Sequence, residues 1–352
     1  MMYKPDWPEA RTRLSALWEG HALDRPCMAV LAPSGRDVTQ PDPPAAPEGR
    51  WLNPDWLVRA ALARLENTWW GGEAVPSVLL NSGWVVSLGG KPRFSPDTIW
   101  FDTFPVDFDG PSPFRHDPGD PWVQQHQAAY LALADAAGKD DFLVGQPCLL
   151  PANDLFSMHM GTEAFLTALV EHRGWMGEAI ARGARDLLRA RLELRDLIVH
   201  RHEFWYGNAG WMPFWASQPY FTTQSDVSCM LSPEMFDEFV LPELEVYANE
   251  FGALWYHLDG QDARQHLPRL LSLQCVRVIQ YTPAPAEPPN GPAHLDLYRQ
   301  VQRAGKIVHI ELPAEHVEPL ARQLDPGLLM LQTACRSIDE GERLLDSASR
   351  WT

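Results

Sequence analysis

The segment LWYHLDG, 254–260, is apolar until its end, where His257 and Asp259 stand two residues apart before Gly260. Residues i and i+2 of an extended chain project to the same side, so this imidazole and carboxylate can share one ion. His, Asp, Glu and Cys are the side chains that coordinate zinc, and a catalytic zinc site takes three from the protein and leaves one position for water or substrate. The alternative is that Asp259-Gly260 opens a turn and caps a helix while His257 is a hydrogen-bonded histidine. Three later apolar runs end on further polar candidates: Gln280, Glu311 and Cys335. Gln280 can orient a ligand or satisfy backbone, Glu311 can be a ligand or merely an acidic strand end, and Cys335 can be a thiolate ligand or a small buried hydrophobe.

The elements that must position these residues are legible in the second half. Apolar runs at 253–259, 276–281, 306–312 and 328–334 alternate with amphipathic stretches such as DARQHLPRLLSL and LDLYRQVQRAG. Almost wholly apolar strands separated by short helices predict parallel pairing with helices covering the sheet. Four βα units are half of a (β/α)8 barrel; a doubly wound open sheet uses the same units. In either architecture chemistry collects beyond the carboxyl ends of the strands, where every candidate above falls. Upstream, 162–200 reads as one long helix capped by Thr162. A second helix opens at Ser232-Pro233, is kinked by Pro242 and ends at Gly252. Strands are expected at 26–33, 75–83 and 141–147, with a proline-rich excursion over 34–50.

Other residues fall near the same rim. Arg36 follows the first expected strand, where a guanidinium can grip a carboxylate. Asp154 and His159 follow the strand at 141–147. The aromatic stretch 203–226, with Trp211 and Tyr220, reads as the lining of a pocket for a flat ligand or as a hydrophobic plug, and Asp226 ends it. Glycine-rich nucleotide motifs and a GxSxG elbow are absent.

Composition sets the outer limits. A formal charge of −17 repels nucleic-acid phosphates and anionic lipid, so neither is an expected partner. Five scattered cysteines, any one of them a possible thiolate ligand, make no disulfide framework and fit a reducing compartment. With no leader-like start and no long apolar span, a cytoplasmic location is expected.

The segment QSDVSCMLSPEMFDEFVLPELEVYANEFGALWYHLDG, followed by VIQYTPAP, RAGKIVHI and LQTACRS, resembles the uroporphyrinogen decarboxylase superfamily. Within it the chain is most similar to decarboxylase-like proteins related to the methylcobamide:thiol methyltransferases. The likeness extends back through DTIWFDTFPVDFDG and FLVGQPCLLPANDLFSMHMGTEAFLTALVEH, to about residue 75. It implies a single (β/α)8 TIM barrel over 1–352, with 1–25 as an N-terminal helical extension. In the methyltransferases a His-x-Cys pair and a distant Cys bind zinc; here His257 matches the His and Cys335, 78 residues on, the distant Cys. Asp259 replaces the first Cys, which makes the ligand set richer in oxygen. The decarboxylase motifs are reduced to APSGR and LNSGW, so porphyrinogen decarboxylation is the lesser expectation.

The resemblance therefore implies a zinc-dependent methyltransferase that moves a methyl group from a corrinoid on a partner protein to a zinc-activated nucleophile. Its expected ligands are His257, Asp259 and Cys335, its catalytic groups Glu311, Asp226 and Gln280, and its substrate-binding residues Arg36, Asp154, Trp211 and Tyr220. The alternatives are a metal-independent decarboxylase using Arg36, Asp154 and Asp226, and a barrel that binds a tetrapyrrole or corrinoid without chemistry.

Overall fold

A computed structural model describes residues 1–80, 88–146, 150–200 and 214–351. It has strands β1 (Cys27–Pro33), β2 (Thr68–Gly72), β3 (Ser77–Val78), β4 (Pro92–Phe94), β5 (Ile99–Phe101), β6 (Leu143–Val144), β7 (Phe221–Thr223), β8 (Leu254–Asp259), β9 (Val276–Thr282), β10 (Ile307–Glu311) and β11 (Leu329–Ala334). The four apolar runs of the second half are β8 to β11, each followed by helical turns. They belong to one seven-stranded sheet in the order β2-β1-β11-β10-β9-β8-β7. Every pairing in it is parallel except that of β2 with β1.

The closed ring expected from the sequence differs from the hydrogen bonding among the described residues, which gives an α/β protein with a mostly parallel central sheet. β3 and β6 pair with each other in parallel but do not join that sheet, and β4–β5 is a separate antiparallel pair. At two residues each, β3 and β6 are too short to sustain ladders on both edges. A side chain does cross the gap: Gln146, just past β6, donates from Nε2 to the carbonyl of Tyr220 at the entry to β7, 3.0 Å away.

Parallel strands are buried on both faces, and here the alternation divides two cores. Leu254, Tyr256, Leu258, Ile279, Ile310 and Leu331 pack against the helices on one side. Trp255, Val278, Ile307, Met330 and Ala29 face the other way into a second core. The N-terminal extension covers that second core as the helix Trp7–Glu19, with Trp7 edge-on to Trp215 and Trp18 tilted on Tyr220, ring centroids 5.4 and 5.5 Å apart.

Local rules explain most helix ends. Ser232 accepts from the Met235 amide at 3.2 Å, Gly252 closes its helix at φ 77°, and the segment between breaks at Val240 into Pro233–Phe239 and Leu241–Phe251. Pro242 accounts for that break, because its ring occupies the place of a helical N–H. The long helix expected over 162–200 is instead two, Thr162–Glu171 and Arg173–Ile198, divided at His172; Gly161, not Thr162, takes the N-cap position.

One buried ion pair ties β1 to the end of β2. Arg25 donates to Glu73 through both terminal nitrogens, at 2.6 and 2.9 Å, and the Met28 amide adds a third bond at 2.8 Å. Glu73 is wholly buried, and removing the Arg25 guanidinium leaves it with only the Met28 amide and the more distant Arg13, 3.8 Å away. Arg25→Met should therefore lower unfolding stability in urea by about 3–5 kcal/mol. A loss near that of an exposed pair, below about 1 kcal/mol, would contradict this account.

Candidate metal centre

β7 and β8 run in parallel with Thr222 beside Trp255 and Thr223 beside Tyr256. Continued past the end of β7, this register brings Asp226 to the carboxyl end of β8. There Asp226, His257 and Asp259 each offer a ligand atom, all within 4.8 Å of one another. His257 Nε2 lies 4.0 Å from Asp259 Oδ1. Gly260 adopts φ +73°, a left-handed turn that a side chain would resist, and bends the chain away directly after the carboxylate. Asp259 makes no side-chain cap bond to the short helix Gly260–Ala263, so its oxygens are not committed to capping.

The histidine is aimed by its neighbour on β9. Gln280 lies beside His257 in the strand register, and its Oε1 accepts from His257 Nδ1. The Gln280 amide nitrogen donates to Thr282 Oγ1 at 3.0 Å and to the Tyr281 carbonyl at 3.3 Å, which fixes which end of the amide faces the ring. Nδ1 thus carries the proton, and Nε2 is the ring nitrogen that lies toward Asp259. Burial lowers the His257 pKa, favouring the neutral form that a metal requires.

Asp226 is held from behind. Its amide and that of Val227 donate to Asp154 at 3.1 and 2.9 Å, so the Asp154 carboxylate satisfies the first turn of the 3-10 helix Asp226–Met230. Gln224 donates to Asp226 Oδ2 at 2.7 Å. Confinement at the rim, then the charges of Asp154 and Asp259, raise the Asp226 pKa to about 8, although the residue is exposed. Burial is also the main cause that raises Asp154, to about 6. Carboxylates crowded this closely with no cation repel one another, and a divalent ion relieves that repulsion.

A second buried carboxylate supports the first. Asp154 lies in the helix Ala152–Met160, whose opening amide at Ala152 donates to Glu243 at 2.6 Å. Glu243 also accepts from Asn153 Nδ2 at 3.0 Å and from the Tyr247 hydroxyl at 2.6 Å. The chain of support runs from Tyr247 through Glu243 to the helix, and from Asp154 to the turn that carries Asp226.

The other expected residues divide sharply. Glu311 ends β10 exposed, and partial burial raises its pKa; it lies outside the group of three. Cys335 also lies outside it: its thiol lines a separate cavity with Pro313, Arg336 and Glu340 at the ends of β10 and β11. β11 is three strands from β8 in the sheet order, and Cys335 is not in the group that Asp226 forms with His257 and Asp259. Arg36 is at the right end of β1 but is exposed and paired with Glu66 at 3.2 Å. Asp154 is buried and serves backbone amides rather than an open surface. Tyr220 precedes β7 at the opposite end of the sheet and is fully buried against Trp18 and Phe214. His159 is likewise buried, among Phe101, Phe104 and Phe114. Trp211 and Cys148 lie outside the described residues.

No family model matches the chain, and no curated protein matches it. Among solved structures it is similar to a methyltransferase from Methanosarcina mazei. The two share 13% identity and a TM-score of 0.57, over 97% of this chain and 98% of the other. At that identity the likeness shows the fold.

Residues that sequence reasoning passed over complete the site. His309 follows His257 and Gln280 along the register, is wholly buried, and accepts from Trp255 Nε1 at 3.3 Å. Burial lowers its pKa to about 4 despite a bond with Gln332. Stepping back by two from Glu311 and from Asp226 would have found His309 and Gln224. Glu243 carried no such signal, because a glutamate inside a helix is ordinary.

Burial, against three hydrogen-bonding groups, raises the Glu243 pKa from its ordinary 4.5 to about 7. Its protonated form is favoured by folding, so this contribution is complete below about pH 4.5 and is lost as pH rises through 7. Glu243→Gln keeps the shape, and the Asn153 Oδ1, which has no partner, can turn to meet the new amide. Urea titrations should show wild type losing stability relative to Glu243→Gln between pH 5 and 8, by on the order of 3 kcal/mol. Parallel pH profiles for the two proteins would refute the assignment.

Proposed function

We propose that the chain is a metal-dependent methyltransferase of the uroporphyrinogen decarboxylase superfamily, working as one barrel-like catalytic unit. The observation that carries this reading is the convergence of Asp226, His257 and Asp259 at the carboxyl ends of adjacent parallel strands. The similarity in fold to a methyltransferase, over nearly the full length of both chains, supports it. Zinc is the ion we favour, and as a Lewis acid it would lower the pKa of a coordinated acceptor and make it nucleophilic.

This chain's own residues do the rest. Asp226, His257 and Asp259 would hold the ion, leaving its solvent side to the acceptor. Two carboxylates and one imidazole make a harder site than one containing thiolate, suited to an oxygen or nitrogen acceptor as readily as to a thiol. Gln280 keeps the imidazole in its ligating tautomer, and Asp154 keeps Asp226 in place. Glu311, on the same sheet face about 10 Å from Asp259 by strand spacing, is a carboxylate with a raised pKa suited to receive the acceptor's proton. The methyl group's source, a methylcorrinoid on a partner protein, rests on the sequence resemblance.

A second reading has one observation in its favour. Asp226, with its pKa near 8, is a proton donor at neutral pH, as a metal-independent decarboxylase requires.

Elemental analysis of purified protein separates the two. Wild type and Cys335→Ser should each carry about one divalent ion per chain, while His257→Ala and Asp226→Asn should lose it on dialysis. Wild type without metal after reconstitution supports the decarboxylase. Loss in Cys335→Ser with retention in His257→Ala would overturn the ligand set.

A further inference from the structure

A cavity of about 500 Å³ lies on the first third of the chain, between the helices Pro47–Leu52 and Pro54–Asn67 and the residues that follow β3. None of its lining residues belongs to the metal group. Its volume is that of a small-molecule site. Leu57 and Leu80 contribute to apolar walls, and Arg50, Trp51, Trp56 and Arg64 also face it.

One of these side chains carries unused hydrogen-bonding capacity. Arg50 is half-buried and, among the described residues, has neither a carboxylate nor a carbonyl partner. The Trp56 indole N–H is shielded from solvent, so what Trp56 offers the cavity is its ring and not its donor. The neighbouring groups are already fixed: Trp51 Nε1 donates to the Ser95 carbonyl at 2.8 Å, and Arg64 donates to the Ser77 carbonyl. The cavity thus keeps one guanidinium to spare beside two tryptophans.

We infer that this cavity binds a small organic anion with a flat apolar body, whose acidic group meets Arg50 and whose ring lies beside Trp56. Arginine supplies charge and paired donors to a carboxylate, sulfonate or phosphate, and the indole supplies a stacking surface. The site is separate from the metal centre and stands whether or not that centre transfers methyl groups.

The test uses full-length protein and 8-anilinonaphthalene-1-sulfonate, an anionic aromatic probe, beside its neutral relative N-phenyl-1-naphthylamine. Fluorescence titration of wild type should give saturable binding of the sulfonate with about one site per chain, at least tenfold weaker in Arg50→Gln and several-fold weaker in Trp56→Phe. Affinity for the neutral probe should not change in Arg50→Gln, and Arg36→Gln should bind both as wild type does. Circular dichroism establishes that the variants are folded; if Arg50→Gln is not, Arg50→Lys should retain charge-dependent binding with reduced affinity. Equal sulfonate affinity in wild type and folded Arg50→Gln, no saturable binding in wild type, or equal loss of the neutral probe would each overturn the inference.

Discussion

Parallel pairing in a fixed register is the constraint on which the candidate site depends. β7, β8 and β9 present every second residue to the same face, so Trp255, His257 and Asp259 climb that face while Gln280 stands beside His257. A slip of one residue in β8 would send His257 and Asp259 to the helix-covered side in place of Tyr256 and Leu258. What prevents the slip is apolar burial on both faces: Leu254, Tyr256 and Leu258 are buried on one side and Trp255 on the other. The site's geometry is thus inherited from the core beneath it.

Carboxylates are the second theme. Asp226 and Asp259 face the mouth, Asp154 sits behind Asp226, and Glu243 sits behind the helix that carries Asp154. The two inner acids accept backbone amides from helix openings, where partial positive charge offsets part of the cost of burial. The two outer acids are not satisfied in this way, which is why the rim suits a cation. Charge supplied from inside the protein is scarce there: among the described residues Arg36 is held by Glu66, away from the group of three.

Much of the fold was readable because strong periodic signals coincide with it. The runs that became β8 to β11 are long, apolar and spaced by amphipathic helices, and the breaks at Pro242 and Gly252 follow from single residues. β2, β7 and the β4–β5 pair were missed because they are short and their pairing is non-local: the Thr-Trp-Trp-Gly-Gly stretch becomes a strand only beside β1. The break at His172 also had no local cause in an otherwise helical pattern.

By itself the sequence determined an apolar strand ending in His257-Leu-Asp259-Gly260, the carboxyl-end placement of Gln280 and Glu311, and a net charge of −17. Those are properties of spacing, residue type and sum of charges, which do not depend on a partner elsewhere in the chain. Tertiary structure alone decided that Asp226 joins His257 and Asp259 while Cys335 lines a different cavity. Residues some thirty or eighty positions apart meet only through strand order, and strand order is set by the burial of whole faces. The same holds for Asp154 and Glu243, whose roles exist only because two helix openings fold back against them.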